Sequence, residues 1–348
     1  GFATTLIIGI FTSFFAAVVV SRLIFALTSD KGIEFKFSTG ITKNWFVNTN
    51  IAFVAKRKIA YVISGVVITI GLIFIFTKGL DKGVDFTGGR TYTVEFVDKI
   101  DINSIEASLT TPFESKPTVK TVGNSYTAAI TTKYLVTDNS PEVGQKVEDA
   151  LTDGLVQFGD FKILEIKTIS PTISKDLNSK AYYSIFFALV IIFLYIVIRF
   201  RKWQYGLGAL LAMAHDVLVV LGLFAIFWGW IGFSMEIDQA FIAAILTVVG
   251  YSINDTVVVF DRIREYLHIH PMREKKENIN SALNSTMGRT INTSVSTFVV
   301  LLVIFLFGGE SIKGFTFALM IGVVVGTYSS LFIATPAVID FENKKKNK

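Results

Sequence analysis

The 348-residue chain is 51% hydrophobic and 14% aromatic with 18% charged side chains, which places it in the membrane class before any motif is considered. It lacks cysteine, which excludes disulfides and thiolate metal sites. Its net charge of +5 is concentrated in particular connections and gives no reason to invoke nucleic acid.

Seven segments have the length of a spanning helix, about 20 residues at a rise of about 1.5 Å each. They run over residues 2–21, 59–77, 181–198, 204–227, 238–260, 289–307 and 314–338. Lys and Arg alternate between the connections without exception. There are seven within 22–58, three within 199–202, six within 261–289 and four after 338, against none within 229–237 and only Lys313 before the last span. Basic connections stay on the cytoplasmic side, so residues 78–180 lie on the outer, periplasmic face.

An odd number of spans leaves the N-terminus outside and the C-terminus inside. The first span has no small-residue cleavage site and runs into a long cytoplasmic loop, which disfavours a signal peptide. The expectation is a piece of a longer polytopic chain, with residues 1–27 the last helix of an upstream half. Residues 28–58 follow as a cytoplasmic linker in which Phe35, Phe37, Trp45, Phe46 and Phe53 alternate with Lys and Asn. Aromatic and basic residues together suit the headgroup layer, so this linker is expected to run along the membrane; an ordinary cytoplasmic loop is the alternative.

After the span at 59–77, the outer segment 78–180 has the size of one small domain. Residues 91–96 (TYTVEF) alternate as a strand, and 102–109 fit a short helix. Residues 117–122 and 126–131 pair across Gly123 and Asn124, a hairpin turn signal. Val143, Val147, Leu151 and Leu155 have helical spacing, and 161–169 closes with a strand. The order β-α-β-β-α-β is the ferredoxin-like pattern. The glycine pair in GVDFTGGR at 83–90 precedes a strand rather than a helix, so a tight turn is expected there and a phosphate cradle is dismissed. No nucleophile with a base and no metal cluster occurs in this domain, whose expected work is binding or mechanical movement. The remaining five spans, 181–338, form a helix bundle, and 339–348 is a basic cytoplasmic tail.

The bundle holds the candidate chemistry. Asp255 interrupts the apolar run FIAAILTVVGYSINDTVVVF at 241–260. A carboxylate there costs about 2.5–3.5 kcal/mol on insertion scales, and such residues normally face a bundle interior or a proton path. It lies about 9 Å inside the cytoplasmic end of its span, next to Asn254. Arg289 opens the sixth span, followed on one helix face by Asn292, Thr293, Ser296 and Thr297. A polar stripe in a span turns toward other helices or water. An Asp255–Arg289 pair broken by protonation is a two-state element that a proton-driven machine needs. Against this stand two plainer readings: Arg262 snorkels back as a structural counter-ion, and Arg289 only marks the positive border. His215 and Asp216, near the middle of the fourth span, either extend a proton route or pack as a hydrogen-bonded pair. Around them Gly206, Gly208, Ala209, Ala212 and Ala214 favour close helix contact.

The motifs GVDFTGGR at 83–90, AHDV at 214–217 and GYSINDTVVVFDRIRE at 250–265 together resemble the SecF subunits of the bacterial protein-export complex, within the resistance-nodulation-division superfamily. The likeness runs from about residue 53 to the C-terminus. It implies six SecF-like helices, a SecD half to which residues 1–27 belong, and an accessory role after the SecA motor and the SecYEG channel have begun export. It implies YajC and YidC as further partners, unfolded preprotein as substrate, and the bacterial inner membrane as location. It places proton transport on Asp255 and the family's arginine on Arg289. The partner carboxylate of the SecD half has no counterpart here. No cofactor beyond the proton gradient is implied.

Competing readings are a passive scaffold that recruits channel or insertase partners, with Asp255 structural, and a lipid or drug exporter of the same superfamily. The outer domain is single and small, which argues against the exporter. An enzyme is disfavoured, since no HExxH, Ser/Lys or paired-Asp arrangement occurs in the spans.

Overall fold

The structure, a computed structural model, describes residues 2–32, 46, 49–122, 125–138, 140–231 and 233–346. Most of the linker, including Phe35, Phe37 and Trp45, and the hairpin tip Gly123–Asn124 lie outside the described residues. Gly1–Asn48 and Thr49–Lys348 form two compact units. In the first, α1 (Phe2–Phe15), a π-helical segment (Ala16–Val20) and α2 (Ser21–Ser29) follow one another in a run long and apolar enough to cross a membrane.

The second unit joins an outer domain to six further candidate spans. α3 (Phe53–Thr77) leads into a one-turn helix, α4 (Val84–Thr87), and then β1 (Gly89–Phe96). There follow α5 (Ile102–Thr110), β2 (Thr118–Thr121), β3 (Thr127–Thr132), α6 (Val143–Leu155) and β4 (Phe161–Ile169). The sheet order is β2-β3-β1-β4 and every pairing is antiparallel, the split βαβ arrangement expected from the element order. Tyr92, Val94 and Phe96 of β1, the central strand, face Ile105 and Leu109 of α5 and Val147, Leu151 and Leu155 of α6. Period-2 and period-3.6 apolar spacing thus meet in one core.

Gly88 and Gly89 form the tight turn between α4 and β1. Gly88 has φ +80°, and a Cβ on Gly89 would fall 2.5 Å from the Thr132 carbonyl oxygen. Only glycine permits both the left-handed backbone and the close approach.

Of the five later helices, α7, α9 and α10 are longer than hydropathy predicts. α7 is Pro171–Phe200, α8 Trp203–Phe227, α9 Gln239–Ile269, α10 Lys275–Phe307 and α11 Glu310–Ser329, continued by a π-helical segment (Ser330–Ala334) and α12 (Thr335–Lys346). The expected span starts at 181 and 289 are therefore corrected to helix starts at Pro171 and Lys275. Apolar length marks the part suited to hydrocarbon, whereas helices project beyond it. Ser170 explains the early start of α7, since its hydroxyl accepts from the Ile173 amide at 3.3 Å and Pro171 follows at the first helical position. The exit from the outer domain is consequently a single residue rather than an eleven-residue link. Small residues set the closest crossings: a Cβ on Gly71 of α3 would meet the Gly222 Cα of α8 at 2.8 Å, and one on Gly208 would meet the Ala334 oxygen at 2.7 Å.

Candidate functional site

The buried residues of α9 (Phe241, Ala244, Ile245, Val248, Val249, Ser252, Asp255, Thr256, Val259) recur at three- and four-residue intervals. Asp255 and Ser252 therefore lie on the helix's inward stripe. Asp255 is 4% exposed and its Oδ2 has no hydrogen-bond partner among the described residues. A carboxylate oxygen left in this state is costly. Such a cost is retained only where the surroundings over-determine the position, which is common at working sites.

The expected pairing with Arg289 is electrostatic rather than a direct ion pair: the Arg289 charge acts on the Asp255 carboxyl. Arg289 is exposed on α10 and makes no ion pair within 4.0 Å among the described residues. It lies fourteen residues inside α10, not at its start, and lines a cavity of about 810 Å³ with Arg199, Asp261, Arg262, Glu265 and Ser285. The plainer reading in which Arg262 is the counter-ion fails. Arg262 is held by Glu265 at 2.7 Å and Ser285 at 3.0 Å and lies over the Tyr266 ring, so it is not the counter-ion of Asp255. In the cavity, Asp261 takes Arg199 at 2.9 Å and Arg264 at 3.1 Å. The result is a polar, electropositive vestibule at the basic end of α9.

Asn254, Asn292 and Thr293 do not converge on Asp255; all three are exposed on the outer faces of α9 and α10. Thr293 bonds back to the Arg289 carbonyl and Thr297 to that of Thr293, so the stripe is partly satisfied by its own helix. Its placement leaves a polar face directed away from this chain's own bundle.

His215 and Asp216 are the hub of a buried network. Asp216 Oδ2 accepts from the Ser252 hydroxyl at 2.6 Å and from Ser329 at 2.7 Å, while Oδ1 lies 2.9 Å from His215 Nδ1. His215 Nε2 is 3.0 Å from Ser64 Oγ, which is 3.2 Å from the Tyr328 hydroxyl. Helices α3, α8, α9 and α11 are thus tied at one point. Sequence reasoning missed Ser64, Ser252, Tyr328 and Ser329 as a set. Its only signal was hydroxyl residues in apolar spans, which hydrogen-bond to their own helix equally well. The π-helical segment begins right after Ser329, and such bulges recur at working sites.

At the opposite end of α9 the bundle is fastened to the outer domain. Residues 81–83 pair with the α8–α9 connection through the Ile237 amide on the Asp81 carbonyl at 2.7 Å and the Gly83 amide on the Ile237 carbonyl at 2.9 Å. Glu236 accepts from Thr118 at 3.1 Å and from Lys120 at 2.8 Å, both on β2. Asp85 accepts from the Gln239 amide at 3.2 Å in the first turn of α9, and Asp238 caps that helix through the Phe241 amide at 2.8 Å. Burial, then the nearby Glu236 charge, pushes the Asp81 carboxyl above the usual carboxylate range. The outer domain therefore touches α9 itself. No group of three or more His, Cys, Asp or Glu side chains suited to a metal occurs among the described residues.

Residues 148–344 match the family model "Protein export membrane protein SecD/SecF, C-terminal", and residues 73–99 match "SecD/SecF GG Motif", which contains the Gly88–Gly89 turn. The chain is 43% identical over 295 residues to the protein translocase subunit SecF of Rhodothermus marinus, covering 85% of this chain and 94% of that protein. It is 36% identical to the same-named protein of Haemophilus influenzae, covering 83% and 85% respectively. The crystal structure of SecDF from Thermus thermophilus, a translocon-associated membrane protein, superposes with a TM-score of 0.80 at 29% identity. That match covers 99% of this chain but 45% of the longer one.

Proposed function

The chain belongs to the SecD/SecF family of protein-export membrane proteins, and from that premise we propose that it is an accessory subunit of the Sec translocase. In this reading it uses the proton motive force to promote late stages of preprotein export across the bacterial inner membrane, with residues 89–169 on the periplasmic side. The observation that carries the reading is Asp255: a buried carboxylate with a free oxygen, in a spanning helix, behind a vestibule lined by arginines. Of the roles open to an intramembrane carboxylate, proton exchange is the one that uses an unbonded oxygen.

Charged and neutral Asp255 differ in how much desolvation they tolerate, so each favours a different setting of α9 against its neighbours. The Asp216 network holds α3, α8 and α11 as the frame and fixes α9 to it at Ser252, so α9 shifts about that point. Movement of α9 reaches the outer domain through Glu236 and Asp85 at its far end, and from there passes to β2 and the Gly88 turn. Asn254, Arg289, Asn292 and Thr293 face the partner that completes the path, which we assign to a SecD half. SecYEG, YajC, YidC and unfolded preprotein are the further partners of this role.

The test is Asp255→Asn in the full-length protein. The variant inserts and folds, because a buried charge is removed, and export loses its response to the gradient. Export that stays fully gradient-responsive identifies Asp255 as structural and favours the scaffold.

A further inference from the structure

Away from Asp255, the junction between α7 and α8 forms a second polar cavity at the basic ends of the spans, about 730 Å³ in volume and lined by Arg201, Lys202, Trp203, Gln204, Lys275 and Glu342 among others. Four observations converge on it. The first turn of α8 has no side-chain cap; the Tyr205 amide bonds the Lys202 carbonyl, which leaves the Trp203 and Gln204 amides at the positive end of a 25-residue helix dipole. Gln204 is 6% exposed, yet its amide has no hydrogen-bond partner among the described residues. Arg201 has no ion-pair partner there either. Glu342, the single acid of the lining, is engaged by both Lys202 and Lys275. Three basic side chains against one carboxylate leave the cavity with a net charge of +2.

We propose that this cavity seats the phosphodiester of an anionic glycerophospholipid, with Arg201, the Gln204 side-chain amide and the backbone amides of Trp203 and Gln204 as donors. An uncapped helix start beside a guanidinium is a ready anion site. A lipid is the source because the walls are those of a membrane border. Trp203 is 44% exposed at the cavity mouth, and Leu194 and Ile198 are 50% and 76% exposed along α7, the direction in which acyl chains run. The orientation argued above decides only which leaflet supplies the lipid.

The test uses the full-length protein in nanodiscs of mixed phosphatidylglycerol and phosphatidylcholine, with bound lipid read by native mass spectrometry. The wild type should retain phosphatidylglycerol with about tenfold preference, the effect of one charge-assisted contact. Arg201→Gly should remove that preference. Arg201 has φ +57°, a conformation glycine adopts without strain, so the variant keeps its backbone. Gln204→Glu, an isosteric change that places a repelling carboxylate in the gap, should do the same. Lys180→Gln, on the far side of the membrane, should not. Equal retention of the two lipids by the wild type, or an unchanged preference in both cavity variants, overturns the site. Binding of inorganic phosphate in lipid-free detergent, at a strength matching the lipid, assigns the cavity to a soluble anion and overturns the lipid.

Discussion

Asp216 and Asp255 are both buried in one helix bundle, at 0% and 4% exposure, and Ser252 lies one turn from Asp255 while bonding Asp216. Their bonding is opposite. Asp216 has all its partners, from three other side chains on three helices, so it fixes geometry. Asp255 keeps an oxygen unbonded, which the proposed proton exchange would use. Burial alone does not distinguish a structural carboxylate from a working one. The bonding of its oxygens does.

That contrast yields a paired measurement with the largest expected effect. Asp216→Leu strands the hydroxyls of Ser252 and Ser329 and one face of His215, and should lower stability by about 3–5 kcal/mol in detergent unfolding. Asp255→Asn should leave the melting temperature unchanged or raised while gradient-dependent export is lost. Reversal of the two stabilities would break the distinction. Next in size is the frame itself. Gly222→Ala forces the α3–α8 backbones apart where a Cβ has only 2.8 Å to the Gly71 Cα, and should cost about 1–3 kcal/mol. A neutral result would show that the crossing relaxes and that the frame around Asp216 is not rigid.

The remaining two predictions concern the far end of α9, where the working half is joined to the outer domain. Glu236→Gln removes the charge from a contact with Lys120 that is 6% exposed on the glutamate side. Hydrogen exchange at residues 234–239 and 118–121 should report a loss of about 2 kcal/mol in local opening, with the domain core unchanged. Uniform loosening of the whole domain would instead make Glu236 a general packing residue.

The smallest effect is a pH dependence. Asp81 has its carboxyl raised, by burial first and Glu236 second, with Lys133 and Lys120 opposing. The folded junction therefore holds a proton more tightly than the unfolded chain. Its contribution is full below the ordinary carboxylate range and is lost as pH rises from that range through the raised value. Exchange at 81–83 should accordingly be better protected at mildly acidic than at neutral pH, after correction for the intrinsic rate. Asp138, lowered chiefly by the Ser140 amide, contributes in the opposite sense, and Asp138→Asn should leave the junction's pH dependence intact.

Much of this was legible in the residues. Apolar length determines seven candidate spans among the described residues, because hydrocarbon thickness acts on local composition, and the Lys/Arg alternation is the ground for expecting one domain on the outer face. Strand and helix periods determine the βαββαβ order, because each element must bury one face. The cost of a carboxylate in an apolar run singles out Asp255 and Asp216, without telling them apart.

Only the tertiary structure decided what surrounds it. That Arg289 lines a vestibule and acts on Asp255 without a direct ion pair, and that Asn254, Asn292 and Thr293 face outward, depends on helix rotation, which spacing along one helix leaves open. The Ser64–His215–Asp216–Ser252–Ser329 network draws on four helices up to 265 residues apart in sequence, and the Glu236–Lys120 contact spans 116. Hydroxyls and carboxylates have a local partner available at almost every position. Which of them is given a distant one is decided only when the helices pack.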